Sequence, residues 1–159
     1  VKSSQISETD PQGDNATRAL IADAVIFGRR HLPLDVNPAL ASLSALLVES
    51  GETELVIRFT ARRDATQGNG VVGGGTLANM LDLAMAMSVL SRLKPGQTCT
   101  TISLTVNMQR AGQEGNFFAV AGVDKVGRTI AFAHAKLYDT DRSHLIASAT
   151  SSLAVVSMR

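Results

Sequence analysis

The sequence predicts an α+β fold in which an antiparallel sheet wraps around one long central helix, with short helices ahead of it. Three observations carry this expectation. Thr76 to Leu93 is a long helical run with no Gly or Pro, apolar on nearly all sides, as expected of a helix enclosed by other structure. Beyond it the periodicity changes to two, in four successive segments. The small side chains Ala131, Ala133, Ala135, Ala147, Ala149 and Ser151 fall on strand faces that let a helix lie close.

In chain order, Val1 to Asn15 is rich in Ser, Asp, Gln and Gly without an apolar core and reads as a flexible tail. Ala16 to Arg30 has helical spacing at Leu20, Ile21, Ala24, Val25 and Phe27. Two prolines in the segment from His31 to Pro38 break it, and Leu40, Leu43, Leu46 and Leu47 then suggest a second short helix. Glu54 to Ala61 alternates and is read as the first strand. The loop Arg62 to Gly75 holds five glycines, at positions 68, 70, 73, 74 and 75, and opens into the long helix, which Lys94-Pro95-Gly96 ends. Strands are expected at 98–109, with Thr100, Ile102, Leu104, Val106 and Met108 on one face, and at 116–126, 129–138 and 145–156. Gly127-Arg128 and Thr140 to Ser143 supply turns. The expected organisation is a tail, 1–15, and one domain, 16–159, whose first part, 16–50, is a helical extension.

The 159 residues suit one domain, and 45% hydrophobic content excludes wholesale disorder. A net charge of +1, with 4% aromatic residues and no Trp, argues against a nucleic-acid partner. The longest apolar stretch, Leu77 to Leu93, is interrupted by polar residues, so no membrane partner is expected. With one cysteine, Cys99, no intramolecular disulfide is possible, which fits a cytoplasmic location.

Gly68-x-Gly70-x-x-Gly73 has the spacing of a dinucleotide fingerprint. There is no Asp or Glu between Leu83 and Gln113 to hold a ribose, and no second long helix follows. His31, His134 and His144 have no metal-ligand spacing, so no metal is expected. Asp82 is the informative residue. It sits among Met80, Leu81, Leu83 and Met85 with no Lys or Arg three or four positions away, and it reads either as a structural group bonded to Asn79 or as a base activated by desolvation. Met80, Met85 and Met87 read first as core. At the helix start, the N–H groups of Gly74 and Gly75 lack intrahelical partners and face the positive end of the dipole, where a carbonyl oxygen gaining negative charge is stabilised. Asp82 lies about 12 Å further along the helix, so the two act on one carbonyl only if they come from different subunits of a two-fold dimer.

This arrangement resembles the hotdog-fold acyl-CoA thioesterases, in the group related to 4-hydroxybenzoyl-CoA and phenylacetyl-CoA thioesterases, over roughly residues 37 to 156. Gly70-Val-Val-Gly73-Gly74-Gly75 and Asp82 occupy the positions of that family's Gly-x-x-His-Gly-Gly loop and following carboxylate. The stretch from Val126 to Phe132, followed by Leu145-Ile-Ala, is similar to its later strands.

The resemblance implies hydrolysis of an acyl-CoA. The Gly74 amide polarises the thioester carbonyl, and Asp82 of a second subunit acts as base or nucleophile. Gln67, at the position of a family amide residue, bonds the carbonyl region, and Thr100 positions water or Asp82. Gly73, Gly75 and Asn69 are expected to border the substrate, and Arg62, Arg63, Lys125 and Arg128 to meet the CoA phosphates. No metal or redox cofactor is implied, CoA being part of the substrate, and the implied assembly is a homodimer or a dimer of dimers. The chain departs from the family at Gly73, which stands in place of the His, and the loop is therefore expected to be set differently. Two alternatives stay open: a non-catalytic acyl-CoA binding or sensing module, and an acyl-CoA hydratase or dehydratase on the same fold.

Overall fold

The structure, a computed structural model, describes residues 13–158. Asn15 starts the first helix: its side chain accepts from the N–H groups of Thr17 and Arg18 and caps α1 (Ala16–Ile26). Asp14, just before it, accepts from Arg18 Nε at 2.8 Å and from the Gly96 N–H at 3.0 Å, while Arg18 Nη1 donates to the Leu93 carbonyl. These two residues, expected in the tail, instead fasten α1 to the turn after the central helix; the rest of the expected tail, 1–12, lies outside the described residues.

A two-residue strand β1 (Leu32–Pro33) and a single helical turn α2 (Pro38–Ser42) follow. The expected second helix stops there. Leu46 and Leu47 belong to β2 (Leu46–Ser50), paired antiparallel with β3 (Glu54–Ala61), so the segment read as the first strand is the third. Ladder pairing overrode helical spacing over a run too short to settle the period.

The central helix α3 spans Gly74–Leu90, starting two residues before the expected Thr76 and ending three before Leu93. The remaining strands are β4 (Gln97–Met108), β5 (Gly115–Val126), β6 (Ile130–Tyr138) and β7 (Leu145–Ser157), close to their expected bounds. Together they form one antiparallel sheet of seven strands in the order β1-β2-β3-β5-β6-β7-β4. Ala131, Ala133, Ala135 and Ala147 are almost fully buried under α3. Their short side chains allow the close approach.

Two features of this sheet position the site. β4 is an edge strand of twelve residues, with its far side unpaired. A bulge also interrupts it: Thr101 pairs with Leu153, but Ser103 pairs with Ser152, leaving Ile102 as the extra residue. Leu153, Ser151, Ala149 and Ala147 face the helix, so their partners Thr101, Leu104, Val106 and Met108 share the inner face, whereas Thr100 and Ser103 share the outer one.

α3 is not enclosed on all sides. Met80, Leu81, Ala84 and Met85 are fully buried and Met87 nearly so, in the core, while Gly75 and Asn79 are exposed and Asp82, Leu83 and Ala86 half-buried. The open strip lies toward β4, where Ile102 is 59% and Met108 46% exposed.

Candidate active site

The glycine loop is a small clamped hairpin. Thr66 bridges Val72 and Val71 bridges Gln113, and the Val72 N–H donates to the Gly112 carbonyl at 2.8 Å. Gln67 forms the base of the turn through its main chain, donating to Val71 and accepting from Gly70, and stays exposed. The Asn69 side chain accepts from the Val71 N–H at 3.2 Å, which shapes the loop. Of the five glycines only Gly70, with φ +79°, uses the left-handed region.

Gly73 has φ −61° and ψ 139°, which any residue adopts, and a Cβ there would meet nothing closer than the Ala65 carbonyl oxygen at 3.7 Å. The expectation that glycine resets the loop is therefore corrected: the backbone does not require it. The Gly73 N–H is used, donating to Ala65, and its carbonyl accepts from Thr76 and Leu77. The N–H groups of Gly74 and Gly75 meet no acceptor among the described residues. Two donors at the positive end of a seventeen-residue helix face outward beside a groove.

That groove, about 350 Å³, is lined by Gly74, Val71, Val72, Leu77, Met108 and the 109–112 segment. Met108 Cε lies 3.6 Å from the position a Cβ on Gly74 would take.

Asp82 is held from the edge strand rather than from its own helix. Thr101 Oγ1 donates to Asp82 Oδ1 at 2.8 Å, in the role assigned above to Thr100 and, for the structural alternative, to Asn79. Thr100 pairs with Ala154 on the outer face, away from Asp82, because the bulge at Ile102 offsets the alternation that had grouped Thr100 with Met108. Cys99, on the same inner face, has its thiol pushed up to about 12 by burial and by the charge of Asp82. It is therefore a protonated packing residue at neutral pH.

Gly74 and Asp82 thus lie at opposite ends of β4, one against Met108 and the other on Thr101. Seven residues of extended strand, about 20 Å, part those two β4 positions. The exposed cations divide in the same way. Arg62 and Arg63 lead into the glycine loop at the Gly74 end, with Arg62 Nη2 donating to Ser44 at 2.9 Å. Lys125 and Arg128 sit at the β5–β6 turn, whose strand ends continue the row of Thr101 through Leu153 and Ala131. Sequence reasoning missed Thr101, Met108 and Arg110, the last a cation lining the groove.

Elsewhere, Asp139, Asp141 and His144 bring three metal-capable atoms within 4.8 Å of one another at the β6–β7 turn. Their bonds account for them: the His144 N–H donates to Asp139 and lowers its pKa to about 2, and Ser143 Oγ donates to Asp141.

Among the described residues, no helix is long and apolar enough to cross a membrane. The model of the Thioesterase superfamily matches residues 69–146. A Pseudomonas aeruginosa protein, provisionally named an esterase, is 26% identical over 103 residues, 64% of this chain and 75% of that one. The Escherichia coli PaaI protein, from the phenylacetic acid degradation operon, superposes with a TM-score of 0.72 at 17% identity, covering 89% of this chain and 95% of that one. A Bacillus halodurans protein solved with CoA gives a TM-score of 0.60 at 27% identity, over 64% of this chain and 66% of the other. Sheet order, buried central helix and matched segment agree: the chain has the hotdog fold, and its residues 69–146 are similar to the Thioesterase superfamily.

Proposed function

We propose that this protein hydrolyses acyl-CoA thioesters to the free acid and CoA, at sites shared between two copies of the chain. The observation that carries the reading is the pair of unpartnered N–H groups on Gly74 and Gly75 beside an apolar groove, with a carboxylate held toward the same open strip of α3. Such donors stabilise an oxyanion, and one of them contributes about 10²–10³ in rate.

A second copy supplies what one copy lacks. The long unpaired edge of β4, with Ile102, Leu104 and Met108 exposed, is a surface that proteins cover. Antiparallel pairing of β4 with its twin about a two-fold axis near Leu104 and Thr105 sets the partner's Thr101 opposite Met108. The partner's Asp82 then comes to the Gly74 end, with the partner's Lys125 and Arg128 joining Arg62, Arg63 and Arg110 around the substrate. The relative solved with CoA supports the ligand class, and these cations match its phosphates.

In the reaction, Asp82 accepts a proton from water as the water oxygen bonds to the thioester carbon. The carbonyl oxygen takes up the negative charge against the Gly74 N–H. Collapse of the intermediate breaks the carbon–sulfur bond, and the proton passes from Asp82 to the CoA sulfur. Direct attack by the Asp82 carboxylate, followed by hydrolysis of the mixed anhydride, gives the same products.

Thiol release from short, medium, long and aryl acyl-CoAs, by wild type and Asp82→Asn, tests this. The expected result is release by wild type and a loss of about 10²–10⁴-fold in the isosteric variant. Equal turnover in both would place the base elsewhere. Saturable acyl-CoA binding without any release would favour the sensing alternative.

A further inference from the structure

The face of the sheet turned away from α3 carries a cluster of arginines that the thioester chemistry leaves unused. Ile57 and Phe59 of β3 point into the core, so Arg58 between them points out, beside Phe118, its partner on β5. Arg142, in the β6–β7 turn, sets its guanidinium carbon 4.4 Å from the centre of the Phe118 ring and donates from Nη1 to Glu49 Oε1 at 3.4 Å. Glu49 belongs to β2 and Phe118 to β5, with β3 running between those strands, so a guanidinium that reaches both lies over β3 beside Arg58. Arg30 brings a third guanidinium, its Nη2 3.7 Å from the same Glu49 oxygen.

The charges in this cluster do not balance. One carboxylate serves three guanidinium groups, and the next acid on this face of β3, Glu54, is about 13 Å from Arg58 along the strand. Lys136, paired with Val120 on the same face, adds to the excess. Arg58 joins no ion pair among the described residues, and its Nε is the one buried side-chain nitrogen or oxygen among them without a hydrogen-bond partner. A buried donor without an acceptor is costly, and like charges gathered in one place repel. Arg142 also takes φ +59°, in the left-handed region where a long side chain is uncommon, so the turn presents this arginine against its backbone preference. An anion between Arg58 and Arg142 relieves both costs, because it supplies the acceptor and offsets the charge. Phosphate, close to doubly charged at neutral pH, offsets more of it than a carboxylate does, and its oxygens match the planar fork of a guanidinium.

We propose that Arg58, Arg142 and Arg30 form a binding site for a phosphate group, inorganic or carried as a monoester, on the outer face of the sheet. Glu49 holds Arg30 and Arg142 together, and Arg58 supplies the donor that has no partner within the chain. The site uses none of the residues assigned to thioester hydrolysis and stands whether or not that reading does.

Calorimetric titration with inorganic phosphate and with glycerol 3-phosphate, at fixed ionic strength in chloride, tests this on wild type, Arg58→Gln, Arg142→Gln, Arg142→Lys and Arg128→Gln. Wild type should bind saturably, and the tighter of the two probes tells free phosphate from a monoester. Arg58→Gln and Arg142→Gln should each weaken binding by about 10-fold or more, since each removes charge-assisted hydrogen bonds. Arg142→Lys keeps the charge without the fork and should recover only part of the affinity. Arg128→Gln, at the β5–β6 turn, should bind as wild type does. Arg142 stands in an exposed turn, so its variants decide the matter should Arg58→Gln fail to fold. Absence of saturable binding by wild type overturns the proposal, as does equal affinity in wild type and both glutamine variants. Loss of binding in Arg128→Gln instead would place the phosphate among the cations expected to meet CoA, and also overturns it. A wild type that binds no phosphate, with an Arg142→Gln variant of altered mass in ultracentrifugation, would give the cluster to carboxylates of a second copy and overturns it too.

Discussion

Thr101 and Asp82 are joined by a 2.8 Å hydrogen bond that ties the edge strand to the central helix. The bond engages one carboxylate oxygen and crosses the open strip of α3.

Removing that hydroxyl should therefore act on the reaction more than on the fold. Hydrogen bonds to charged groups contribute about 1.5–3 kcal/mol, so Thr101→Val should lower kcat by about 10-fold or more. Thr101→Ser keeps the donor and should recover most of the rate. A Thr101→Val enzyme with the kcat of wild type would show that the contact is only structural.

The glycines of the loop should respond differently to a methyl group. Gly70→Ala places a side chain at φ +79° and should lower stability by about 1–2 kcal/mol. Gly73→Ala meets ordinary backbone angles and an ordinary 3.7 Å contact with the Ala65 carbonyl oxygen; the gain of about 0.4–1 kcal/mol from restricting the unfolded chain is offset by the poorer fit of alanine at a helix N-cap, so stability should stay within about 0.5 kcal/mol of wild type. Urea unfolding of the two variants checks the contrast.

Asp14 should leave a signature in acid. Its hydrogen bond with Arg18, followed by those from the Gly96 and Asn15 N–H groups, lowers its pKa from 3.8 to about 2. A group whose folded pKa is depressed contributes stability above its unfolded value, and that contribution is lost as pH falls through the folded one. The gap in Tm between wild type and Asp14→Asn should be full above about pH 4 and shrink toward pH 2. A gap constant over that range would show that Asp14 contributes by shape alone.

The sheet after residue 97 and the central helix were legible because long stretches keep one period: β5, β6 and β7 start and end within a residue or so of their sequence limits. β2 was not, since Leu46 and Leu47 are too few to define a period and only their pairing with Arg58 and Ile57 makes them a strand. Gly74 and Asp82 stood out through composition, as glycines at a helix start and as an acid among Leu and Met. Thr101 did not stand out, because reading a face off a strand assumes that every residue takes one step across the pleat. Met108 and Arg110 come into the groove through tertiary folding of the 109–112 segment, which carries no local signal.

The extra residue at Ile102 works as a phase element. Thr101 and Met108 are an odd number of positions apart, and in an uninterrupted ladder they would point to opposite sides of the sheet. One unpaired residue returns both to the surface beneath the helix, one against the acid and the other against the amide. Taking a single residue out of this strand would therefore evict one of the two from the interior, whereas taking out a pair would keep both facing inward and draw them a full pleat closer together. The reach between the Asp82 end and the Gly74 end is thus encoded in chain length, in steps of two, independently of which side chains the strand carries.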